Sequence, residues 1–157
     1  MSFIVVKHNI EVAHRLFELE GDKCQNIHGH SMWVEMTLHG HINSKGLLEG
    51  LDFGSVKAKF RGYLDENYDH HLLLNYKDPW AGRLYVLDMK DGTKYDGSPL
   101  EVEDFDLLPG LLTVPGDPST ENIAKWVAQW ATAIFKLPAD VKVQETHVNG
   151  AGYSERP

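Results

Sequence analysis

The stretch CQNIHGH at residues 24–30 places the chain's single cysteine just ahead of two histidines that are separated by a glycine. If a strand begins at residue 28, His28 and His30 point to the same face of the sheet, because side chains alternate sides along a strand. Two imidazoles on one face suit Zn²⁺, which accepts neutral histidine nitrogens and in catalytic sites typically takes three protein ligands. A third ligand from another strand is therefore needed.

Alternating apolar residues predict that residues 3–17 and 28–39 form two half-buried strands. His14 lies on the apolar parity of the first strand, and His28 and His30 lie on the apolar parity of the second. If the two strands pair as antiparallel neighbours, the three side chains meet on the inner face of the sheet. We therefore predict a metal site of His14, His28 and His30, in preference to three unrelated buried imidazoles.

Cys24 falls in the loop between these two strands, where its neighbours Lys23 and Gln25 are polar. A lone cysteine is ordinarily a small buried hydrophobe, but a thiolate close to a metal and to cations is the reactive form. Cys24 can ligate Zn²⁺ or act as a base or nucleophile, and its spacing does not choose between these roles.

Two helices are predicted, one after Asp52 and one after Asp117 or Ser119, which are candidate N-caps. The first helix leads into the pair Asp69-His70. A carboxylate beside an imidazole can orient it and raise its basicity, as in a general acid or base. Adjacency in sequence does not establish a hydrogen bond, so a functional and a structural role both stay open for this pair.

Glu145 lies on the apolar parity of a strand that is predicted from Val141 and Val143. Burying a carboxylate on that face is costly unless another group pairs with it. A ligand rich in N–H donors would satisfy Glu145, and a salt bridge to an internal lysine or arginine is the structural alternative.

Length and composition are typical of one cytoplasmic domain spanning residues 1–157. The formal net charge of −8 provides no basic patch for a phosphate backbone, so we expect no direct nucleic-acid partner. The single cysteine and the lack of an apolar leader segment favour the cytoplasm. No run of residues approaches membrane-spanning length, so no membrane partner is expected.

The predicted elements follow the order strand, strand, helix, inserted hairpin, helix, strand, strand. This order predicts an α+β fold, in which a four-stranded antiparallel sheet is covered on one face by two helices. The insertion spans residues 76–106, where a strand at 84–90, an Asp91-Gly92 turn and a returning strand at 93–95 predict a hairpin.

The chain resembles the 6-pyruvoyl-tetrahydropterin synthase family, and within it the bacterial 6-carboxytetrahydropterin synthase branch. The matching pieces cover almost the whole chain in the family's order: VAHRL at 12–16, CQNIHGHS at 24–31, LDF at 51–53, DHHLLLN at 69–75, PSTEN at 118–122 and QETHVNGAGY at 144–153. The three residues between the cysteine and the first histidine of HGH match the bacterial spacing. The resemblance implies the tunnelling fold, with active sites between the subunits of a homohexamer built from two trimers.

The resemblance also implies a role for each site residue. It implies three zinc ligands, which are the residues already predicted from strand parity: His14, His28 and His30. Cys24 would be the thiolate base, and Asp69 and His70 would be its partners in proton transfer. Glu145 would grip the pterin through the 2-amino and N3–H groups. Two further residues match a region that the family uses near the pterin: Thr120 and Glu121.

The reaction implied by the resemblance converts 7,8-dihydroneopterin triphosphate to 6-carboxy-5,6,7,8-tetrahydropterin, with release of acetaldehyde and triphosphate, in queuosine biosynthesis. Two other functions stay open. One is a 6-pyruvoyl-tetrahydropterin synthase or another pterin side-chain lyase, which the mass of the product would distinguish. The other is a non-catalytic pterin- or purine-binding module with a structural zinc, whose function should survive replacement of Cys24 by alanine.

Overall fold

The computed structural model describes residues 2–81 and 110–157, which form a mixed sheet with two α-helices on one face. The elements in chain order are β1 (Ser2–His14), a 3-10 helix (Lys23–Gln25), β2 (His28–Gly40), α1 (Phe53–Asn67), β3 (His71–Asn75), β4 (Leu111–Val114), α2 (Thr120–Phe135), β5 (Ala139–Gln144) and β6 (Gly150–Glu155). The two helices and the strands that flank them confirm the predicted α+β pattern. The predicted hairpin at 84–95 lies outside the described residues.

Within the described ranges the sheet already has six strands, in the order β4-β3-β1-β2-β5-β6, so the prediction of four strands was wrong. The expected antiparallel unit is present, because β1 pairs with β2, β2 with β5, and β5 with β6, all antiparallel. The additional strands β3 and β4 extend this unit beyond β1, and both of their pairings are parallel. The sheet is therefore mixed.

The two additional strands were missed because their sequences lack the alternation of a half-buried strand. The residues of β3 form an almost continuous apolar run, HLLLN, with its last three positions buried. Parallel strands covered on both faces typically read as such runs, which periodicity alone cannot distinguish from part of a helix. β4 has only four residues and lies between glycine and proline turns.

The pairing of β1 with β2 is continuous from Ser2 opposite Gly40 to His14 opposite His28. Alternate residues of both strands turn towards the helices, where they form one hydrophobic core with β5, α1 and α2. α1 packs against β1, whereas α2 packs mainly against β5 and β6. The strand ends that carry His14 and His28 therefore lie beside each other on the helix-covered face.

Side-chain caps fix where both helices begin. The Asp52 carboxylate accepts a hydrogen bond from the N–H of Ser55 at 2.9 Å, as predicted for α1. Of the two candidates for α2, Ser119 is the N-cap, and its hydroxyl accepts from the N–H of Asn122 at 3.3 Å. The C-cap of α2 is Lys136, whose φ of 56° is a left-handed conformation that usually favours glycine.

Neither described helix has both the length and the apolar character needed to cross a membrane.

Candidate metal centre and catalytic residues

Three histidines converge at the end of the β1–β2 pair, as strand parity predicted. One ligand nitrogen from each of His14, His28 and His30 lies within 4.8 Å of the others. His14 is fully buried, and the other two are partly exposed, so the cluster is open to solvent on one side. These three residues are positioned to bind a metal ion.

Backbone carbonyls fix the orientation of two of the imidazoles. The Nδ1 atom of His14 lies 2.8 Å from the carbonyl oxygen of Pro118, and that of His28 lies 2.8 Å from the carbonyl oxygen of Asn26. Because a carbonyl can only accept, each Nδ1 must carry the proton and donate it. Such second-sphere hydrogen bonds are typical of histidines that bind metals.

The Nε2 atoms of His14 and His28 face each other at a distance of 3.1 Å. Burial lowers the pKa of His14, so this imidazole is neutral at neutral pH. In neutral rings that are protonated at Nδ1, both Nε2 atoms present lone pairs, which repel each other at this distance. A cation between them would turn this repulsion into coordination, so the donor set fits a divalent metal such as zinc.

Glu145 lies against the histidine cluster, although its position differs from the prediction. β5 ends at Gln144, so Glu145 belongs to the turn that follows the strand rather than to its apolar face. Its side chain is 22% exposed, with Oε1 at 3.4 Å from Nε2 of His30 and 3.6 Å from Nε2 of His14. Among the described residues, the basic side chains within 4 Å of Glu145 are these two histidines, and the internal lysine or arginine of the structural alternative is not found.

An open cleft of about 670 Å³ begins at this carboxylate. Its volume lies within the range of small-molecule sites. The lining combines polar and aromatic side chains: Gly29, His30, Ser31, Trp33, Gln144, Glu145, Thr146 and His147. A planar ligand with N–H donors could therefore meet both the carboxylate and the open side of the histidine cluster.

Cys24 lies in the 3-10 helix between β1 and β2, partly exposed and held by backbone contacts. Its carbonyl oxygen accepts from the N–H of Leu16 at 2.9 Å, and its own N–H donates to the Asp22 carboxylate at 2.7 Å. The pKa of the Cys24 thiol is raised, mainly by a hydrogen bond to Asp22 and to a smaller extent by burial. In this environment the thiol is protonated at neutral pH, so proton transfer requires an acceptor.

Asp69 and His70 form the hydrogen-bonded pair that adjacency alone could not establish. The Nδ1 atom of His70 lies 2.8 Å from Oδ2 of Asp69, while Oδ1 of Asp69 accepts from the N–H of Glu11 at 2.7 Å. Burial raises the pKa of Asp69, but the hydrogen bonds from Glu11 and His70 outweigh it, so the pKa lies below its ordinary value. Nδ1 of His70 is held by a carboxylate, and the ring is 78% exposed. The Nε2 side is thus free to exchange protons with another molecule.

Within the described residues, no hydrogen bond joins Cys24 to this acid–imidazole pair. Asp69 hydrogen-bonds Glu11, which lies three residues before the end of β1, whereas Cys24 lies in the loop beyond that end. The structure therefore brings Glu145 to His14 and His30, whereas no hydrogen bond among the described residues joins Asp69 or His70 to the histidine cluster. Two other predicted residues, Thr120 and Glu121, begin α2 directly after the Pro118-Ser119 segment that contacts His14.

Sequence reasoning missed a buried ion pair next to the histidines. The guanidinium of Arg15 donates to the Asp78 carboxylate at 3.0 Å and to the carbonyl oxygen of Gln25 at 2.5 Å, and it stacks 4.7 Å above the Trp80 ring. The Asp78 side chain is 0% exposed. An arginine directly after His14 was the only signal in the sequence, and it does not identify a partner 63 residues away.

Comparison with known proteins gives consistent results at three levels. A family model described as 6-pyruvoyl tetrahydropterin synthase matches residues 3–156. The 6-carboxy-5,6,7,8-tetrahydropterin synthase of Rickettsia bellii is 36% identical over 73 residues, which are 46% of this chain and 51% of that protein. The corresponding protein of Rickettsia conorii is 34% identical over 74 residues. The chain thus spans about half the length of the curated relatives that it matches.

Solved structures show the same fold over nearly the whole chain. An uncharacterised protein from Wolinella succinogenes superposes with a TM-score of 0.76 at 19% identity, covering 99% of this chain and 98% of that one. A 6-pyruvoyltetrahydropterin synthase from Plasmodium vivax gives a TM-score of 0.69 at 19% identity with the same coverage. At these identities the similarity concerns the fold alone.

Proposed function

Since the chain belongs to the 6-pyruvoyl tetrahydropterin synthase family, we propose that it is a zinc-dependent 6-carboxy-5,6,7,8-tetrahydropterin synthase of queuosine and 7-deazaguanine biosynthesis. The substrate is 7,8-dihydroneopterin triphosphate, which reacts with water to give 6-carboxy-5,6,7,8-tetrahydropterin, acetaldehyde and triphosphate. The observation that carries the proposal is the convergence of His14, His28 and His30 next to a cleft that is lined by the Glu145 carboxylate. The Rickettsia relatives support the carboxy branch.

His14, His28 and His30 would hold the zinc ion through their Nε2 atoms. The carbonyl contacts of His14 and His28 support this assignment, because they leave Nε2 unprotonated. Bound zinc would supply Lewis acidity at the oxygens of the substrate side chain, where negative charge develops during proton abstraction.

Glu145 would bind the pterin ring through the 2-amino and N3–H groups. The carboxylate lies between the histidines and the cleft, so the pterin side chain can reach the metal while the ring stays in the cleft. A charged acceptor that faces two adjacent N–H donors gives strong, oriented hydrogen bonds. Thr120 and Glu121, which begin α2, would contribute to the same end of the site.

Cys24, Asp69 and His70 would move protons on the side-chain carbons. The raised pKa of Cys24 means that its proton must pass to an acceptor before the sulfur can act as a base. His70, oriented by Asp69, suits that role, but no hydrogen bond joins it to Cys24 within the part of one chain that the structure describes. We therefore propose that His70 of one copy accepts the proton from Cys24 of another copy in a homo-oligomer. The family resemblance implies that this oligomer is a hexamer of two trimers.

The test is to incubate the purified, zinc-loaded protein with 7,8-dihydroneopterin triphosphate. Acetaldehyde would be assayed with alcohol dehydrogenase, and the pterin product would be identified by mass spectrometry. The carboxy product together with acetaldehyde is expected. A pyruvoyl product without acetaldehyde would place the chain in the other branch of the family. Unchanged substrate with the parent protein would instead point to a binding module.

Matched variants show whether this site carries the activity. His30→Ala should abolish zinc binding and turnover together, because it removes a ligand. His41→Ala alters an exposed histidine beyond the opposite end of β2 and should leave both unchanged. Full activity of the His30→Ala protein without zinc would contradict the proposed site.

A further inference from the structure

We infer that Asp117 is a positioning residue for the candidate metal site. It fixes the segment before α2, and the carbonyl of the following residue, Pro118, orients His14. The inference rests on the proposed metal site and concerns a residue that the sequence offered only as a candidate N-cap and to which the resemblance assigns no role. The carbonyl oxygen of Pro118 accepts from Nδ1 of His14 at 2.8 Å. The position of this carbonyl group depends on the contacts that hold the preceding residue, Asp117.

Both oxygens of the Asp117 carboxylate are used to hold that segment in place. Oδ1 accepts from the side-chain amide of Asn75 at 3.1 Å, and Oδ2 accepts from the N–H of Glu18 at 2.9 Å. Asn75 is fully buried at the end of β3, and Glu18 lies in the loop that follows β1. One side chain thus joins the segment before α2 to β3, which pairs with β1 at His14, and to the loop that follows His14.

The backbone of Asp117 is held as well. Its carbonyl oxygen accepts from the Asn122 side chain and from the N–H of Ser119, both at 2.8 Å. The proline at 118 fixes its own φ and restricts the preceding residue to extended conformations. The segment therefore has few ways to turn its carbonyl elsewhere while Asp117 stays bound.

The carbonyl matters because water cannot easily replace it. His14 is 0% exposed, so loss of the Pro118 contact would leave a buried N–H without a partner. The ring would then gain access to the tautomer protonated at Nε2, which cannot coordinate a metal through that nitrogen. Asp117 thereby acts on the metal site through Pro118 and His14, without touching the ion.

A purely structural role for Asp117 makes a different prediction. Ser119 is the N-cap of α2, so capping does not account for Asp117. If Asp117 only stabilised the fold, its loss would lower the free energy of unfolding while the folded fraction kept its zinc affinity. Tautomer state and metal affinity therefore distinguish positioning from stabilisation.

The experiment compares Asp117→Ala and Asp117→Asn with Asp52→Ala. Asp52 is the matched control, because it is also an aspartate at a helix start that accepts backbone N–H groups, but it contacts no histidine of the cluster. Zinc affinity would be measured by competition with a chromophoric chelator, and unfolding with urea. The tautomer of His14 would be read from its ¹⁵N chemical shifts in the metal-free protein at mildly alkaline pH.

We expect Asp117→Ala to weaken zinc binding by about 10- to 100-fold, the usual effect of losing support behind a metal-binding histidine. Asp117→Asn keeps one acceptor and should show a smaller loss. Asp52→Ala should keep the parent affinity. The ¹⁵N shifts should change from a Nδ1–H tautomer in the parent to a mixture in Asp117→Ala. Asn75→Ala removes one anchor of Asp117 without changing charge, so it should reproduce part of both effects and exclude simple loss of negative charge.

Parent-like zinc affinity and tautomer in folded Asp117→Asn and Asn75→Ala would overturn the inference, even if Asp117→Ala failed to fold. A parent protein that bound no zinc would overturn the metal assignment under the proposed function. In that case the tautomer measurement would still decide whether Asp117 positions His14.

Discussion

Replacing Asp78 with alanine should lower the free energy of unfolding more than the replacement of any exposed charged residue. The Asp78 carboxylate is fully buried and accepts from Arg15 at 3.0 Å and from the N–H of Trp80 at 2.8 Å. Its removal leaves the Arg15 guanidinium, only 14% exposed, without its counter-ion. Breaking a buried pair by removing one partner costs about 3–5 kcal/mol, because the remaining charge stays desolvated.

The assay is urea unfolding monitored by tryptophan fluorescence, for Asp78→Ala, Arg15→Met and the double variant Arg15→Met/Asp78→Ala. Each single variant should lose about 3–5 kcal/mol of unfolding free energy. The double variant should lose less than the sum of the two, because neither charge is left alone. The control is Arg61→Ala, which removes an exposed i,i+4 partner of Asp65 and should cost only about 0.3–0.5 kcal/mol. A loss below about 1 kcal/mol for Asp78→Ala, or strict additivity in the double variant, would refute the buried-pair reasoning.

Three further predictions concern the thiol, acid stability and a helix end. Cys24→Ala should lower turnover by about 10²- to 10⁴-fold with zinc affinity unchanged; a tenfold weaker zinc affinity in a chelator competition would instead make Cys24 a ligand. Burial raises the pKa of Asp140, but hydrogen bonds from Ser154, Arg156 and His39 outweigh it and hold the pKa below 3.8. The ionised Asp140 therefore stabilises the fold above that pH, and this contribution is lost as the pH falls through the depressed pKa. In urea titrations, Arg156→Met should lower the free energy of unfolding more at neutral than at acid pH. Equal decreases at the two pH values would contradict this. Lys136→Gly should raise the free energy of unfolding by about 0.5 kcal/mol, because glycine adopts the left-handed backbone conformation at the end of α2 without strain. An unchanged Tm in thermal unfolding would show that Lys136 is not strained there.

The cluster of three histidines could be predicted because it depends on two simple features, the alternation of side chains along each strand and the antiparallel pairing of the two strands. Alternation placed His14, His28 and His30 on the inner faces of two strands, and an antiparallel pairing brought those faces together. The start of each helix was predicted from a short polar residue, a candidate N-cap, that precedes the apolar residues of the helix. In each case the signal lies within a few residues of the feature that it predicts.

Other parts of the site depend on contacts that leave no local signature. The carbonyl of Pro118 orients His14 from 104 residues away, and any residue could have supplied a carbonyl. Glu145 was assigned to the wrong backbone element, because alternation continues past the last paired residue of β5. The pairing of β3 with β1 depends on long-range packing of a short apolar run, which local periodicity does not encode.

The three clustered histidines all belong to one hairpin, with His14 on its first strand and His28 and His30 on its second. An ion held there would cross-link the base of the loop at residues 15–27, much as a disulfide closes a loop and reduces the conformations open to it. Chelation would then loosen this loop first and leave the rest of the sheet intact. The rate at which an alkylating reagent modifies Cys24 would consequently report metal occupancy, since the thiol lies inside the loop that the ion closes.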